Sequence, residues 1–260
     1  MAELFRKQKK IARTNAEPRF GPDLHFASAE AYNLLRTNLS FSMPGKQGSK
    51  IIGITSSCPQ EGKSFTSINI AYAFAKNGHK TLLLEADMRR PSIAGALGEK
   101  RTPGLSNVLS GQCDDSCVRS GLLHENLSIM FAGELPPNPS ELIGSNEMKL
   151  FMDRMSEQYE YVIVDLPPII SVADALIISK YIDGMVMILR HGQTRRKNVV
   201  EAVRQLRFAN VHILGFVYNG YRRGNGYYNK NRRYYKKYGY GYTSKKKSKE
   251  NAEANSEQAE

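Results

Sequence analysis

Short apolar runs that alternate with helical patterns place the tightest limit on how this chain can fold. The runs Ile51–Thr55, Tyr161–Val164 and Met185–Leu189 are apolar at nearly every position, and segments of helical pattern lie between them. Strands that are apolar on both faces are typical of a parallel sheet that is covered by helices. We therefore predict an α/β fold in which a parallel sheet is flanked by helices on both faces.

The pattern also predicts the other elements. Asn138 is expected to cap one helix, since Pro139 follows in the first turn and Glu141 stands three residues after the cap, and Gly144 is a possible break in it. The other expected strands are Thr81–Leu84, Leu127–Phe131 and Val211–Val217. The expected helices are Ser28–Ser40, Ser64–Asn77, Asn138–Tyr159, Val172–Tyr181 and Arg195–Phe208.

Composition divides the chain into three predicted regions. Residues 1–25 form a basic arm that Pro18 and Pro22 keep from being helical, and residues 26–220 form the folded domain. Residues 221–260 contain no Leu, Ile, Val, Met or Phe, so they cannot build an apolar core. We predict that this last region is a disordered, basic tail.

Tyrosine is concentrated in that tail. Its eight phenols stand among glycine, asparagine and basic residues: Tyr221, Tyr227, Tyr228, Tyr234, Tyr235, Tyr238, Tyr240 and Tyr242. The tail carries eleven Lys and Arg against four Glu, a balance of +7 within the chain's net charge of +12. A basic segment favours anionic partners. Many exposed phenols on a flexible, basic segment look like a substrate.

A loop between the first strand and the next helix has the pattern of a phosphate site. The residues S-C-P-Q-E-G-K-S match G-x-x-x-x-G-K-[ST], except that serine replaces the first glycine. Backbone N–H groups of such a loop surround an anion, the glycine allows close approach, and the lysine adds a cation. The alternative is a helix start that carries G-K-S by chance. The predicted nucleotide contacts are Ser57, Gln60, Glu61, Gly62, Lys63, Ser64 and Phe65.

Carboxylates follow two further strands. Glu85 and Asp87 come just after three leucines, and Asp165 ends the run Tyr161–Val164. The carboxyl ends of parallel strands face the ligand crevice, where acidic side chains are well placed to hold Mg²⁺. The alternative is a solvated turn in which Arg89 and Arg90 pair with the first two acids. With the loop, these acids predict a P-loop NTPase-like fold.

Other classes of site receive little support. Three cysteines are an odd number, which argues against a disulfide framework, and Cys113 and Cys117 lack the second pair that a zinc site needs. Met1–Arg13 has charge without an apolar core, so we expect no secretory signal peptide. We also expect no membrane span, because no run of 18 apolar residues occurs.

From about Glu30 to its end, the chain resembles the bacterial tyrosine kinases of capsule and exopolysaccharide synthesis. I-T-S-S-C-P-Q-E-G-K-S is similar to the family's Walker A motif, L-L-L-E-A-D-M-R-R-P to its Walker A′ and Y-V-I-V-D-L-P-P to its Walker B. P-P-N-P-S-E-L and the tyrosine cluster also match family segments. The chain looks like the type whose membrane activator is a separate protein.

The resemblance implies an ATP- and Mg²⁺-dependent kinase that phosphorylates the tail tyrosines of a neighbouring copy. Lys63 and Ser64 would hold phosphate and metal, and Asp87 and Asp165 would serve the metal. Glu85 takes the place of an aspartate that acts on the incoming phenol, so the catalytic set is Lys63, Glu85 and Asp87. By analogy with related folds, Asn219 is an adenine contact.

The resemblance also implies partners and a location. It implies a transmembrane activator that holds the kinase at the inner face of the membrane, a cognate tyrosine phosphatase, other protein substrates and a role in polysaccharide synthesis and export. It implies a ring of subunits, assembled through E-x-x-R-x-x-R. Here Glu30 and Arg36 remain, while Asn33 replaces the middle arginine, so one cation is missing from the predicted interface.

Two other functions stay open. A partition-type ATPase of the same superfamily usually has a lysine five positions before the P-loop lysine, and Cys58 stands there in this chain. A tail of tyrosine and arginine could also bind single-stranded nucleic acid by stacking and charge. Formation of phosphotyrosine distinguishes the kinase from both, and for a kinase we expect no nucleic-acid partner.

Overall fold

A computed structural model of the chain describes residues 20–43 and 46–220. Contacts group the chain into two units, Met1–Asn219 and Gly220–Glu260. The predicted tail, its tyrosines and the part of the predicted arm before Phe20 lie outside the described residues. The boundaries proposed for the arm and the tail therefore stay predictions.

The described residues form one sheet of seven strands. Six strands run parallel, and only the short third strand is antiparallel, pairing with the fourth at one edge. The spatial order is β3-β4-β2-β5-β1-β6-β7. The strands are β1 Lys50–Ser56, β2 Thr81–Glu85, β3 Arg119–Ser120, β4 Leu127–Met130, β5 Tyr161–Asp165, β6 Gly184–Arg190 and β7 Ile213–Asn219.

Eight α-helices of the described chain cover this sheet. Three short 3₁₀ turns accompany them, at Gly21–Asp23, Asp115–Cys117 and Ser179–Tyr181. The helices are α1 Phe26–Ser42, α2 Lys63–Lys76, α3 Ile93–Ala96, α4 Leu105–Leu109, α5 Pro139–Gly144, α6 Asn146–Gln158, α7 Asp174–Ile178 and α8 Arg196–Phe208.

Alternate residues of the strands belong to two separate apolar cores, one on each face of the sheet. Leu82 and Leu84 of β2 pack in the core that includes residues of α4 to α8, whereas Leu83 packs with residues of α1 to α3. Since neighbouring side chains of a strand point to opposite faces, this division requires helices on both sides. The predicted α/β fold is confirmed for the described residues.

The structure differs from the predicted elements in several places. The helix expected at Asn138–Tyr159 is two helices, and the first ends at Gly144, the position where a break was considered possible. The hydroxyl of Ser145 accepts a hydrogen bond from Met148 N (3.2 Å) and caps the second helix. Asn138 does begin the first of them, but its side chain donates to Glu141 instead of capping the helix. The helices α3 and α4 were not predicted, since four or five residues are too few for periodicity to show.

The cysteine and membrane predictions have different outcomes. The structure pairs Cys113 with Cys117 as a disulfide, a single local link that the sequence analysis did not predict and that does not amount to a disulfide framework. The intervening 3₁₀ turn, Asp115–Cys117, brings them together, and Cys58 remains a free thiol. In the described ranges, no helix combines the length and the apolar character needed to cross a bilayer.

Candidate functional site

The predicted site residues meet at the carboxyl ends of three adjacent strands, β2, β5 and β1. Glu85 lies opposite Asp165 in the register of β2 and β5, and the loop after β1 lies beside them. A cavity of about 630 Å³ is found here. Of the predicted contacts, those that line this cavity are Gln60, Gly62, Lys63, Ser64, Phe65 and Asp87.

Gly62 gives the loop a shape that other residues adopt only with strain. Its φ is +93°, in the left-handed region, directly before the first residue of α2. The backbone oxygen of the preceding residue, Glu61, accepts a hydrogen bond from Asn219 Nδ2 at 3.1 Å. A Cβ atom at position 62 would lie 2.1 Å from that same nitrogen. Glycine therefore lets the last strand hold the loop in place.

Glu61 supports the loop from inside the protein. Its side chain is buried, and its carboxylate accepts hydrogen bonds from Ser57 Oγ (3.1 Å), Cys58 N (3.1 Å) and Thr194 Oγ1. Ser57 is also fully buried. These two predicted nucleotide contacts thus shape the loop, while Gly62, Lys63 and Ser64 face the cavity.

Lys63 connects the loop to two of the predicted acids. Its Nζ lies 2.8 Å from Asp87 Oδ2 and 4.0 Å from Asp165 Oδ2. Burial disfavours the charged ammonium, but the attraction of Asp165 and Asp87 outweighs burial and raises the pKa of Lys63. The lysine is therefore positively charged at neutral pH and placed at the cavity.

Asp165 is fully buried and accepts two hydroxyl hydrogen bonds, from Ser64 Oγ (2.6 Å) and Ser67 Oγ (2.9 Å). Burial raises the pKa of Asp165, and Lys63 and the two hydroxyls act in the opposite direction. Oxygen ligands of this kind suit Mg²⁺, which often binds through one or two carboxylates together with substrate phosphates. Residues 20–43 and 46–220 contain no cluster of three His, Cys, Asp or Glu that would hold a metal alone.

Glu85 is surrounded by backbone amides, whereas Asp87 lines the cavity and pairs with Lys63. The Glu85 carboxylate is fully buried and accepts hydrogen bonds from the backbone amides of Ser92 (2.6 Å), Ile93 (2.7 Å) and Ala132 (3.2 Å). Burial raises the pKa of Glu85, these amides lower it, and nearby Asp165 raises it further. Glu85 thus fixes the start of α3 and the segment just after β4, and it does not line the cavity.

These contacts predict a large stability effect. Replacing Glu85 by Ala is expected to lower the free energy of unfolding by about 3–5 kcal/mol, because three amide donors lose their acceptor. Glu85→Gln keeps one acceptor oxygen and should lose less. Urea unfolding of the full-length variants measures both changes, and a loss below about 1 kcal/mol for the alanine variant would contradict the supporting role of this carboxylate.

One buried acid of the site was not predicted from the sequence. Asp174, at the start of α7, accepts hydrogen bonds from Arg89 Nε (2.7 Å) and Ser140 Oγ (2.6 Å). Arg89 also lines the cavity, and its guanidinium pairs with Asp174. The alternative interpretation of this turn paired Arg89 and Arg90 with Glu85 and Asp87, and for Arg89 it is wrong. Nothing in the local sequence marks Asp174, because the pairing joins elements that are far apart in the chain.

The remaining predicted site residues lie around the cavity or apart from it. The ring of Phe65 packs 5.3 Å from that of Phe20, measured between centroids. On α1, Glu30 accepts a hydrogen bond from Asn33 Nδ2 (3.0 Å), and Arg36 donates to Thr37. Glu30 and Arg36 do not line the cavity.

A family model described as "ParA: NUBPL iron-transfer P-loop NTPase" matches residues 48–252. The chain is 36% identical over 193 residues to the tyrosine-protein kinase YwqD of Bacillus subtilis, a match that covers 74% of this chain and 81% of the relative. It is also 34% identical over 229 residues to the putative tyrosine-protein kinase EpsB of Ralstonia nicotianae, where it covers 87% of this chain but 30% of the longer relative.

Among solved structures, a tyrosine kinase domain is also similar to this chain. The kinase domain of the Escherichia coli tyrosine kinase ETK superposes with a TM-score of 0.72 at 30% identity. The match covers 76% of this chain and 77% of that domain.

Proposed function

The chain belongs to the bacterial tyrosine-protein kinases, which share the P-loop NTPase fold, and from this premise we propose that it uses ATP to phosphorylate the tail tyrosines of a second copy. The observation that carries this proposal is the cavity at which Lys63, Asp87 and the Ser64–Asp165 pair meet. The acceptors proposed are the eight tyrosines between 221 and 242.

The residues present at the cavity fit a triphosphate with Mg²⁺. Loop amides and the Lys63 ammonium offer donors and positive charge to phosphate oxygens. Ser64, Asp87 and Asp165 would hold the metal ion, which when bound neutralises negative charge on the phosphates. Lys63 is held by Asp87 in this structure, so binding of phosphate would draw the ammonium away from that carboxylate.

Asp87 is the better placed of the two acids to act on the phenol. It lines the cavity, whereas the three backbone amides around Glu85 occupy that carboxylate. A free tyrosine has a pKa of about 10, so Asp87 would orient the hydroxyl and accept its proton late in the transfer. We propose Asp87 as this acceptor and Glu85 as the residue that keeps the neighbouring backbone in position.

Asn219 is proposed to contact the adenine. It ends β7, and its amide group already contacts the loop through the backbone oxygen of Glu61. The end of the last strand is therefore next to the phosphate loop, where a base attached to the bound phosphates would lie.

Self-association is proposed to use α1. Its helix surface exposes Phe26 (72%), Leu34 (63%) and Phe41 (77%), near Glu30 and Arg36. Large apolar side chains that remain exposed on one element indicate a contact surface. A ring of copies would bring the tail of one subunit to the cavity of the next.

The wider role is proposed from the family resemblance. The kinase would regulate the synthesis and export of a capsular or extracellular polysaccharide, at the inner face of the membrane, through a transmembrane activator. A tyrosine phosphatase would reverse the modification, and other proteins would serve as additional substrates. The basic tail, with its balance of +7, would serve as the acceptor and not as a nucleic-acid site.

A mixing experiment tests transfer between copies. The acceptor is the full-length Lys63→Met chain, and the enzyme is the full-length chain with its eight tail tyrosines changed to Phe. With ATP and Mg²⁺, we expect phosphotyrosine on the Lys63→Met chain, detected by antibody and located by mass spectrometry. The enzyme variant alone is the control and should carry no tail label. If the wild-type chain binds ATP but acquires no phosphotyrosine, the proposed function is wrong.

A further inference from the structure

A second groove, of about 510 Å³, is lined by residues of α4, of α5 and of the segment 134–138. It is lined by the carboxylates of Glu134 and Glu141, by serine hydroxyls and by the side-chain amides of Asn107 and Asn138. Among the described residues, no Lys, Arg or His belongs to this lining. The groove therefore offers negative charge and hydrogen-bond acceptors to whatever occupies it.

The wall that carries Glu134 is held firmly. Asn107 Oδ1 accepts hydrogen bonds from the backbone amides of Gly104 (3.1 Å) and Glu134 (3.3 Å), and Ser106 Oγ donates to the Glu134 backbone oxygen (2.7 Å). At Gly133, whose φ is +85°, a Cβ atom would lie 2.4 Å from Ser106 Oγ. The backbone of this wall is thus fixed on both sides of Glu134.

The same wall presents apolar surface beside the acids. Leu135 is 58% exposed, Pro137 is exposed and Pro136 is half-buried. Proline rings and an exposed leucine side chain are apolar surfaces against which an aromatic ring can pack. A segment with both cations and aromatic rings would find complementary groups in the groove.

One network joins this groove to the nucleotide cavity. Ser140 lies in α5 between two lining residues of the groove, Asn138 and Glu141, and accepts a hydrogen bond from Arg89 Nη2 at 2.9 Å. Arg89 in turn lines the nucleotide cavity. An extended chain rises about 3.3 Å per residue, so neighbours of a tyrosine in the cavity can occupy the groove a few residues away.

We propose that this groove docks residues 221–249 of a second copy, an inference that rests on the proposed function and adds to it the site that holds the acceptor. Residues 221–249 contain eleven Lys and Arg, eight tyrosines and no Asp or Glu. Their charge and aromatic content match the acids and the exposed prolines of the groove. Each phosphate adds about −1.5 to −2 charges, so a phosphorylated segment is repelled by Glu134 and Glu141 and leaves the groove.

The test places groove substitutions in one copy at a time. The enzyme is the full-length chain with its tail tyrosines changed to Phe, and the acceptor is the full-length Lys63→Met chain. With Glu134→Gln and Glu141→Gln in the enzyme, we expect the KM for the acceptor to rise about three- to ten-fold, as for the loss of a few partly exposed charge pairs. The kcat and the KM for ATP should stay within about two-fold, and added salt should reduce the difference.

Two controls separate docking from charge in general. The same two substitutions in the acceptor should leave its KM unchanged. Glu125→Gln with Glu157→Gln in the enzyme removes equal charge from exposed positions outside the groove and should have no effect. If the groove variant keeps the wild-type KM, or if either control raises it equally, the docking site is wrong.

A direct binding measurement keeps this result distinct from the kinase proposal. A fluorescent peptide of residues 221–249 is titrated with the full-length Lys63→Met chain, with and without the groove substitutions. We expect several-fold weaker binding to the groove variant. Equal binding overturns the docking site even if phosphotyrosine forms, and groove-dependent binding without any phosphotyrosine in the wild type overturns only the kinase proposal.

Discussion

Replacing Lys63 by Met is expected to lower the initial rate of tyrosine phosphorylation by about 10²–10³-fold, the usual effect of removing one charge-stabilising group. The ammonium is nearly buried and lies 2.8 Å from Asp87 at the cavity. Among the described residues, Lys63 is the cation that forms an ion pair with Asp87. Quantifying phosphotyrosine formation in the full-length chain at saturating ATP measures the loss. Lys63→Arg is the matched control, since it keeps the charge but changes the geometry, and it should retain more activity.

The same variant is also expected to be less stable. Removing the cation leaves buried carboxylates without compensation, which typically costs about 3 kcal/mol or more. Burial already raises the pKa of Asp165, and losing Lys63 raises it further. A carboxyl with a raised pKa in the folded state stabilises the fold at low pH and loses that contribution as pH rises through the folded-state pKa. The difference in unfolding free energy between the wild type and Lys63→Met should therefore be largest at neutral pH and become smaller on acidification. Urea unfolding at several pH values measures this difference.

Replacing Asp165 by Asn should separate activity from stability. We expect a loss of about 10²-fold or more in phosphorylation rate, because the side chain that holds Ser64 and would serve the metal loses its charge. The free energy of unfolding should change by less than about 1 kcal/mol, because burial disfavours this charge and asparagine still has an oxygen for the hydroxyls.

Ser67→Ala is the matched control for the Asp165 variant. It removes one hydroxyl bonded to Asp165 but leaves the carboxylate and Ser64 in place. We expect it to keep most of the activity. Substantial kinase activity in Asp165→Asn, or a loss as large in Ser67→Ala, would contradict the assignment of Asp165 to the reaction.

The parallel sheet could be predicted because its strands are buried on both faces. Runs such as Tyr161–Val164 carry that burial in the sequence itself, and the strand β5 extends the predicted run by one residue, Asp165. The edge strand β3, Arg119–Ser120, has two residues and no apolar pattern. Its pairing with β4 depends on tertiary contacts, which local composition does not encode.

The site was predictable where function depends on consecutive residues. Gly62, Lys63 and Ser64 form one motif, and the structure places all three at the cavity. Roles that depend on distant partners were not predictable. The supporting contacts of Glu85 come from Ser92, Ile93 and Ala132, and the pairing of Arg89 is with Asp174. A motif states which residue types are present, but the fold determines which partners each side chain contacts.

The hydrogen bond between Asn219 and the backbone of Glu61 has a practical consequence for chimeric kinases. A fusion of a foreign sequence to the end of this domain requires the choice of a junction. A cut before Asn219 would remove the amide that anchors the turn around Gly62. A fusion made there would lose this support for the loop, whichever sequence is added. Joining the new sequence after Gly220 keeps Asn219 and therefore preserves that anchor.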